Sequence, residues 1–157
     1  MRRAKLDRID KKILRDLQEN GRITNVDLAK NVGISAPPCL RRVRALEESG
    51  YIKSYHAKID PASLGYGVMV FAMVKLSSQA ESELDTFEAL VKKEPMVREC
   101  HLLAGDVDFL LKIAAKDWDS YQEFHKDVLT KAPGVVSVKS SLAIRSGKDD
   151  VGVPIEE

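Results

Sequence analysis

The pattern of apolar residues changes between residues 50 and 67, and no other feature limits the fold as much. Over the first 50 residues they recur every three or four positions. In "LDRIDKKILRDLQENG", Leu6, Ile9, Ile13 and Leu17 form one helical stripe, and Asn20-Gly21 predicts a stop with glycine as C-cap. In "TNVDLAKNVG", Thr24 and Asp27 approximate a capping box, and Gly33 ends the helix. The third segment, "ISAPPCLRRVRALEESG", takes Ser35 as N-cap and Gly50 as its stop. Pro37 and Pro38 fall in its first turn, where the amides have no intrahelical acceptor anyway. Helix, short turn with glycine, helix is the pattern of a helix-turn-helix. The alternating "YIKSYHAKID" predicts a small wing, and "DPASLGYG" has the turn composition of a linker.

Beyond residue 67, strand-length apolar runs alternate with helical stripes. "VMVFAMVKL" (68–76) reads as a strand, and "ESELDTFEALVKKE" carries Leu84, Phe87, Leu90 and Val91 on one helical face. "VRECHLLA" and "VDFLLKIA" read as strands joined by a tight Gly105-Asp106 turn. "DWDSYQEFHKDVLTKA" reads as a second helix and "VVSVKSSLAI" as a last strand. The predicted fold is α+β, an N-terminal winged helix-turn-helix over 1–59, a linker over 60–67, and a C-terminal ferredoxin-like βαββαβ domain over 68–157. Both helices then cover one face of the sheet. Apolar residues from 68–74 and 109–113 line the other face, which predicts burial against a second copy in a homodimer.

Charge divides at the same place. Residues 1–58 hold 14 Lys and Arg against 7 Asp and Glu, whereas 59–157 hold 11 against 17, within a net charge of +1. A basic front half points to a polyanionic partner. No run approaches the roughly 18 apolar residues of a membrane span, and "MRRAKLDRID" has no apolar stretch behind its positive charge, so neither a membrane protein nor a secretory signal is expected. Cys39 and Cys100 lack metal or redox spacing, and His56, His101 and His125 lack the convergence a metal site needs.

The third helix carries the most chemistry. On a wheel of about 100° per residue, Cys39, Val43 and Leu46 share one face, Arg41 and Arg44 point away with Pro37, and Arg42 flanks the apolar stripe. Arginines on a helix are ordinarily a solvated face. The preceding helix-turn and the basic balance favour double-stranded DNA instead, with Ser35, Pro37, Pro38 and Arg41 at the groove and Arg42 and Arg44 on the phosphate backbone. Which arginine reads a base is left open.

The run "LDRIDKKILRDLQENGRITNVDLAKNVGIS…PCLRRVRALEESGYI", with "ECHLLAGDVDFLLKI" and "APGVVSV", resembles the Lrp/AsnC (feast/famine) family of prokaryotic transcriptional regulators, most closely the leucine-responsive type. The resemblance implies dimers that assemble further, often to octamers, and a response to amino acids. It also implies an amino-acid pocket between dimers at "LLAGDVDFLL" and the elements beside it. Carried over, Gly105 and Asp106 offer backbone groups, Asp108 accepts from the ligand's ammonium, Leu102 and Trp118 are apolar neighbours, and Ser140 binds the carboxylate. By its residues alone the stretch is a hairpin whose second carboxylate, Asp108, must face something polar or solvent. The expected effector is a small aliphatic amino acid.

An enzyme is the alternative, since tetrapyrrole decarboxylases resemble this two-domain layout. That reading needs histidines and arginines lining the second domain, which has only His101, His125, Arg98 and Arg145. The expectation is therefore a cytoplasmic, cofactor-free regulator, not an enzyme.

Overall fold

A computed structural model describes residues 5–156; residues 1–4, which carry part of the basic N-terminal start, and residue 157 lie outside the described residues. The chain divides into two compact units. One holds the residues up to Lys58 together with the segment from Lys148 onward, and the other spans Ile59–Gly147.

The first unit is built on α1 (Arg8–Glu19), α2 (Asn25–Val32) and α3 (Ala36–Glu48). A full capping box opens α1. The Asp10 amide donates to Asp7 Oδ1 at 2.8 Å, and the Asp7 amide donates to Asp10 Oδ2 at 3.1 Å. The chain leaves α1 through an extended Asn20, and Gly21 keeps an ordinary backbone, so the expected glycine cap is absent there. Helix α2 follows expectation. The Asp27 amide donates to Thr24 Oγ1 at 3.1 Å, and Gly33 ends the helix at φ 78°, a left-handed conformation that glycine adopts without a Cβ penalty. Ser35 is the N-cap of α3 by backbone position, with no side-chain cap bond, and the two prolines sit in the first turn.

Ile13, Leu28, Ala29, Val32, Cys39 and Leu46 form the buried core of this unit. Each larger aliphatic there stabilises the unit by about 1.5–3 kcal/mol relative to exposure. Residues 51–60 form no strand, in contrast to the expected wing ladder. Their anchor is Tyr55, whose hydroxyl donates to Glu47 Oε1 of α3 at 2.8 Å.

The second unit has β1 (Val68–Leu76), α4 (Glu81–Val91), β2 (Val97–Leu102), β3 (Phe109–Ala115), α5 (Trp118–Phe124) and β4 (Val135–Leu142). The strand order is β2-β3-β1-β4 with every pairing antiparallel, as the βαββαβ reading predicts. Along β1, Val70, Ala72, Val74 and Leu76 are buried against Phe87, Tyr121 and Leu129 of the helical layer. By the two-residue period of a strand, Phe71 and Met73 then face away from the helices, as does Leu110 of β3. The β2–β3 connection is longer than a tight turn: it runs from Leu103 to Asp108 and Gly105 has no positive φ. Helix α5 passes into a π turn over His125–Leu129.

Candidate DNA interface and effector pocket

Two side-chain amides set the helix-turn-helix. Asn25 Nδ2 donates to the Ala36 carbonyl at 2.8 Å, tying the start of α2 to the first turn of α3, and Asn31 Nδ2 donates to Asp16 Oδ2 at 2.9 Å, tying α2 to α1. Cys39 is fully buried and Leu46 nearly so, which fixes the face that α3 turns inward. Burial pushes the Cys39 thiol up from its ordinary value, as befits a core side chain.

The six residues singled out on α3 are not equivalent. Ser35, Pro37, Arg41 and Arg44 are exposed, while Pro38 and Arg42 are half-buried. Arg41 and Arg44 have no side-chain partner among the described residues. Arg42 is engaged, with Nη1 2.7 Å from both Asp7 Oδ2 and Asp10 Oδ1. The Asp10 amide and then the Arg42 guanidinium hold the Asp7 carboxyl below its usual range, and the two carboxylates, Asp10 first, raise the Arg42 guanidinium. Its position beside the apolar stripe explains this. A cation that flanks the buried face meets the neighbouring helix before it meets solvent.

The candidate effector residues fall into two groups within the second unit. Leu102, the last residue of β2, and Gly105 and Asp106 on the β2–β3 connection are exposed. Asp108, which closes that connection, is buried at 3 % exposure. Its carboxylate accepts from the Leu76 amide at 2.6 Å and from Gln79 Nε2 at 2.7 Å. The polar partner that the sequence demands for Asp108 is thus the end of β1 and the loop after it. Ser140 is on β4, where its hydroxyl bonds the Tyr121 hydroxyl. Trp118 is half exposed and stacks on Tyr121 with centroids 5.2 Å apart. Tyr121 itself is buried, and burial raises its hydroxyl's pKa. Strands β2 and β4 are opposite edges of the sheet. Three strand spacings of about 4.8 Å separate them, roughly 14 Å, so one chain does not gather Leu102 and Ser140 around one small ligand.

Tyr121, Gln79 and the Asp7–Asp10 pair are the functional neighbours that sequence reasoning misses. Only Asp7 carried a readable signal, since Asp-x-x-Asp ahead of an apolar stripe is a variant capping box. Among the described residues no three or more His, Cys, Asp and Glu side chains gather as metal ligands, and no helix is long and apolar enough to cross a membrane.

A helix-turn-helix with free arginines on its second helix, carried on the same chain as a ferredoxin-like sheet unit, defines a DNA-binding transcriptional regulator with an appended domain. Residues 6–53 match the family model for winged helix-turn-helix DNA-binding domains, and residues 69–153 match that for the Lrp/AsnC ligand-binding domain. The chain belongs to the Lrp/AsnC family of transcriptional regulators. It is 48% identical to the leucine-responsive regulatory protein of Rhizobium meliloti, with 98% of each chain covered, and 44% identical to the Bkd operon transcriptional regulator of Pseudomonas aeruginosa, covering 91% of this chain and 94% of that one. A transcriptional regulator from Neisseria meningitidis, solved as an L-Met complex, superposes with a TM-score of 0.91 at 37% identity over 96% of this chain and 97% of that one. These relatives are regulators, and nothing in them supports the decarboxylase alternative.

Proposed function

We propose that the chain is a cytoplasmic regulator, not an enzyme, whose DNA binding responds to a small aliphatic amino acid, and that it works as a homodimer assembling further to an octamer. In this reading Ser35, Pro37, Pro38 and Arg41 meet the groove and Arg44 meets a phosphate. Arg42 reaches the backbone only by sharing its guanidinium with Asp7 and Asp10. The observation that carries the effector assignment is the division of the candidate residues between opposite sheet edges. Leu102, Gly105 and Asp106 from one chain, with Asp108 bracing their loop, complete a pocket with Trp118 and Ser140 only when a second chain supplies the other half. The uncovered face with Phe71, Met73 and Leu110 supplies the apolar surface for dimerisation. The L-Met complex of the Neisseria meningitidis regulator favours an amino acid as the effector.

Calorimetry with the twenty amino acids, paired with a promoter-fragment gel shift with and without each binder, tests the reading. One or two aliphatic amino acids should bind and alter the shift. Absence of binding by all twenty removes the effector assignment, and absence of any shifted fragment removes the DNA contacts.

A further inference from the structure

Residues 148–156, "KDDVGVPIE", group with the helical unit and not with the sheet domain to which the sequence assigns them. From Lys148 onward the chain belongs with α1–α3. Three attachments hold it there. Lys58 Nζ lies 2.9 Å from Asp149 Oδ2 and also donates to the Asp149 carbonyl. The Gln18 amide grips the backbone at one residue from both sides: its Nε2 donates to the Val153 carbonyl at 2.9 Å, and its Oε1 accepts from the Val153 amide at 3.0 Å. Arg15 Nη2, one turn earlier on α1, donates to the Ile155 carbonyl at 3.2 Å. Gly152 makes the approach possible, at φ 80° and with Gln18 so close that a Cβ would lie 2.0 Å from its Oε1. The side chain of Ile155 is half-buried, whereas Val151 and Val153 remain exposed.

The same helix is held at its other end by α3, through Asp7, Asp10 and Arg42. We infer that residues 148–156 are a clamp belonging to the DNA-binding unit: by gripping Arg15 and Gln18 they fix α1, and α1 in turn fixes the seating of the recognition helix α3. Charge opposes this role. The ten C-terminal residues carry one lysine against four acids, a balance of −3 beside the +7 of residues 1–58. Acting as charge alone, the segment would repel DNA, and its removal would tighten binding. Acting as a clamp, its removal weakens binding. The two effects have opposite signs, which makes the clamp testable.

The full-length protein, Gln18→Ala and a chain ending at Gly147 are compared on one DNA fragment enriched from genomic DNA by the full-length protein, at several salt concentrations. Hydrogen exchange at the Val153 amide is followed in the two proteins that retain it. The amide should be protected in the parent and exchange at least about tenfold faster in Gln18→Ala. DNA binding should weaken at least about fivefold in Gln18→Ala, the loss expected from one of its two hydrogen bonds alone, and more in the shortened chain. The salt slope should stay unchanged in Gln18→Ala, because no phosphate contact is removed. Unaltered exchange at Val153 in Gln18→Ala overturns the clamp, as does freed exchange with unchanged DNA affinity, or tighter binding by the shortened chain.

Discussion

Arg41 and Arg42 are neighbours of one residue type in different surroundings, the first exposed and the second half-buried against Asp7 and Asp10. Among the described residues Arg41 is exposed without a side-chain partner, so its replacement by alanine should weaken specific DNA binding. Arg44→Ala, at the proposed phosphate contact, should instead lower the salt slope by roughly one unit. Arg42→Ala should also cost stability, within the range of about 0–1 kcal/mol that solvent-screened ion pairs contribute. The sign with pH follows from Asp7. Its folded pKa is depressed, so its stabilising contribution is present above the unfolded carboxylate value of about 3.9 and is lost as pH falls through the folded value. Urea unfolding of Arg42→Ala against the parent should therefore show the larger deficit near pH 7 and a shrinking one below about pH 4. Asp108 is a second residue-scale case. Asp108→Ala leaves the Leu76 amide and Gln79 without their acceptor, and an unsatisfied buried donor costs about 1–3 kcal/mol. Denaturant unfolding of the variant should lose that much, whether or not any amino acid is present.

At the scale of elements, helices and strands were legible wherever an apolar periodicity ran for two turns or more, because burial of one face is the same demand in sequence and in space. Residues 51–60 are the exception, since their alternation forms no strand. What remained illegible has particular causes. The π turn at His125–Leu129 keeps the apolar spacing of a helix and changes only the hydrogen-bond step, so nothing in "HKDVL" announces it. The expected tight Gly105-Asp106 turn gives way to a longer connection, whose closing Asp108 carboxylate bonds the end of β1. The arginines of α3 were legible as a set, but Arg42's partners lie more than thirty residues earlier in sequence. Gly33 shows the other extreme, a local rule that holds. A Cβ there meets nothing within 4 Å, so Gly33→Ala pays only for its left-handed backbone, about 1–2 kcal/mol. Calorimetric unfolding should show that loss with the sheet unit's transition unmoved.

Across the whole molecule, the division into compact units lies near the sequence boundary at one end, and at the other it groups the segment from Lys148 with the helices. Pattern and charge both change near residue 60, and the first unit's main segment ends at Lys58. Nothing comparable marks Lys148, because ten residues without periodicity give no sign of what they pack against. The open sheet face is a feature of the same scale. Phe71 is 36% exposed at its centre, and Phe71→Glu should convert the proposed dimer to monomer in size exclusion with light scattering, leaving the helical content intact. The return of the C-terminus to α1 also fixes an order of events during synthesis. Chains are made at about 5–20 residues per second, so the 89 residues between Lys58 and Lys148 delay the last piece of the DNA-binding unit by roughly 5–20 s after its helices have been made. The first part of this protein to emerge from the ribosome is therefore among the last to be finished, and the inferred clamp on α1 can close only once the whole sheet unit has been translated.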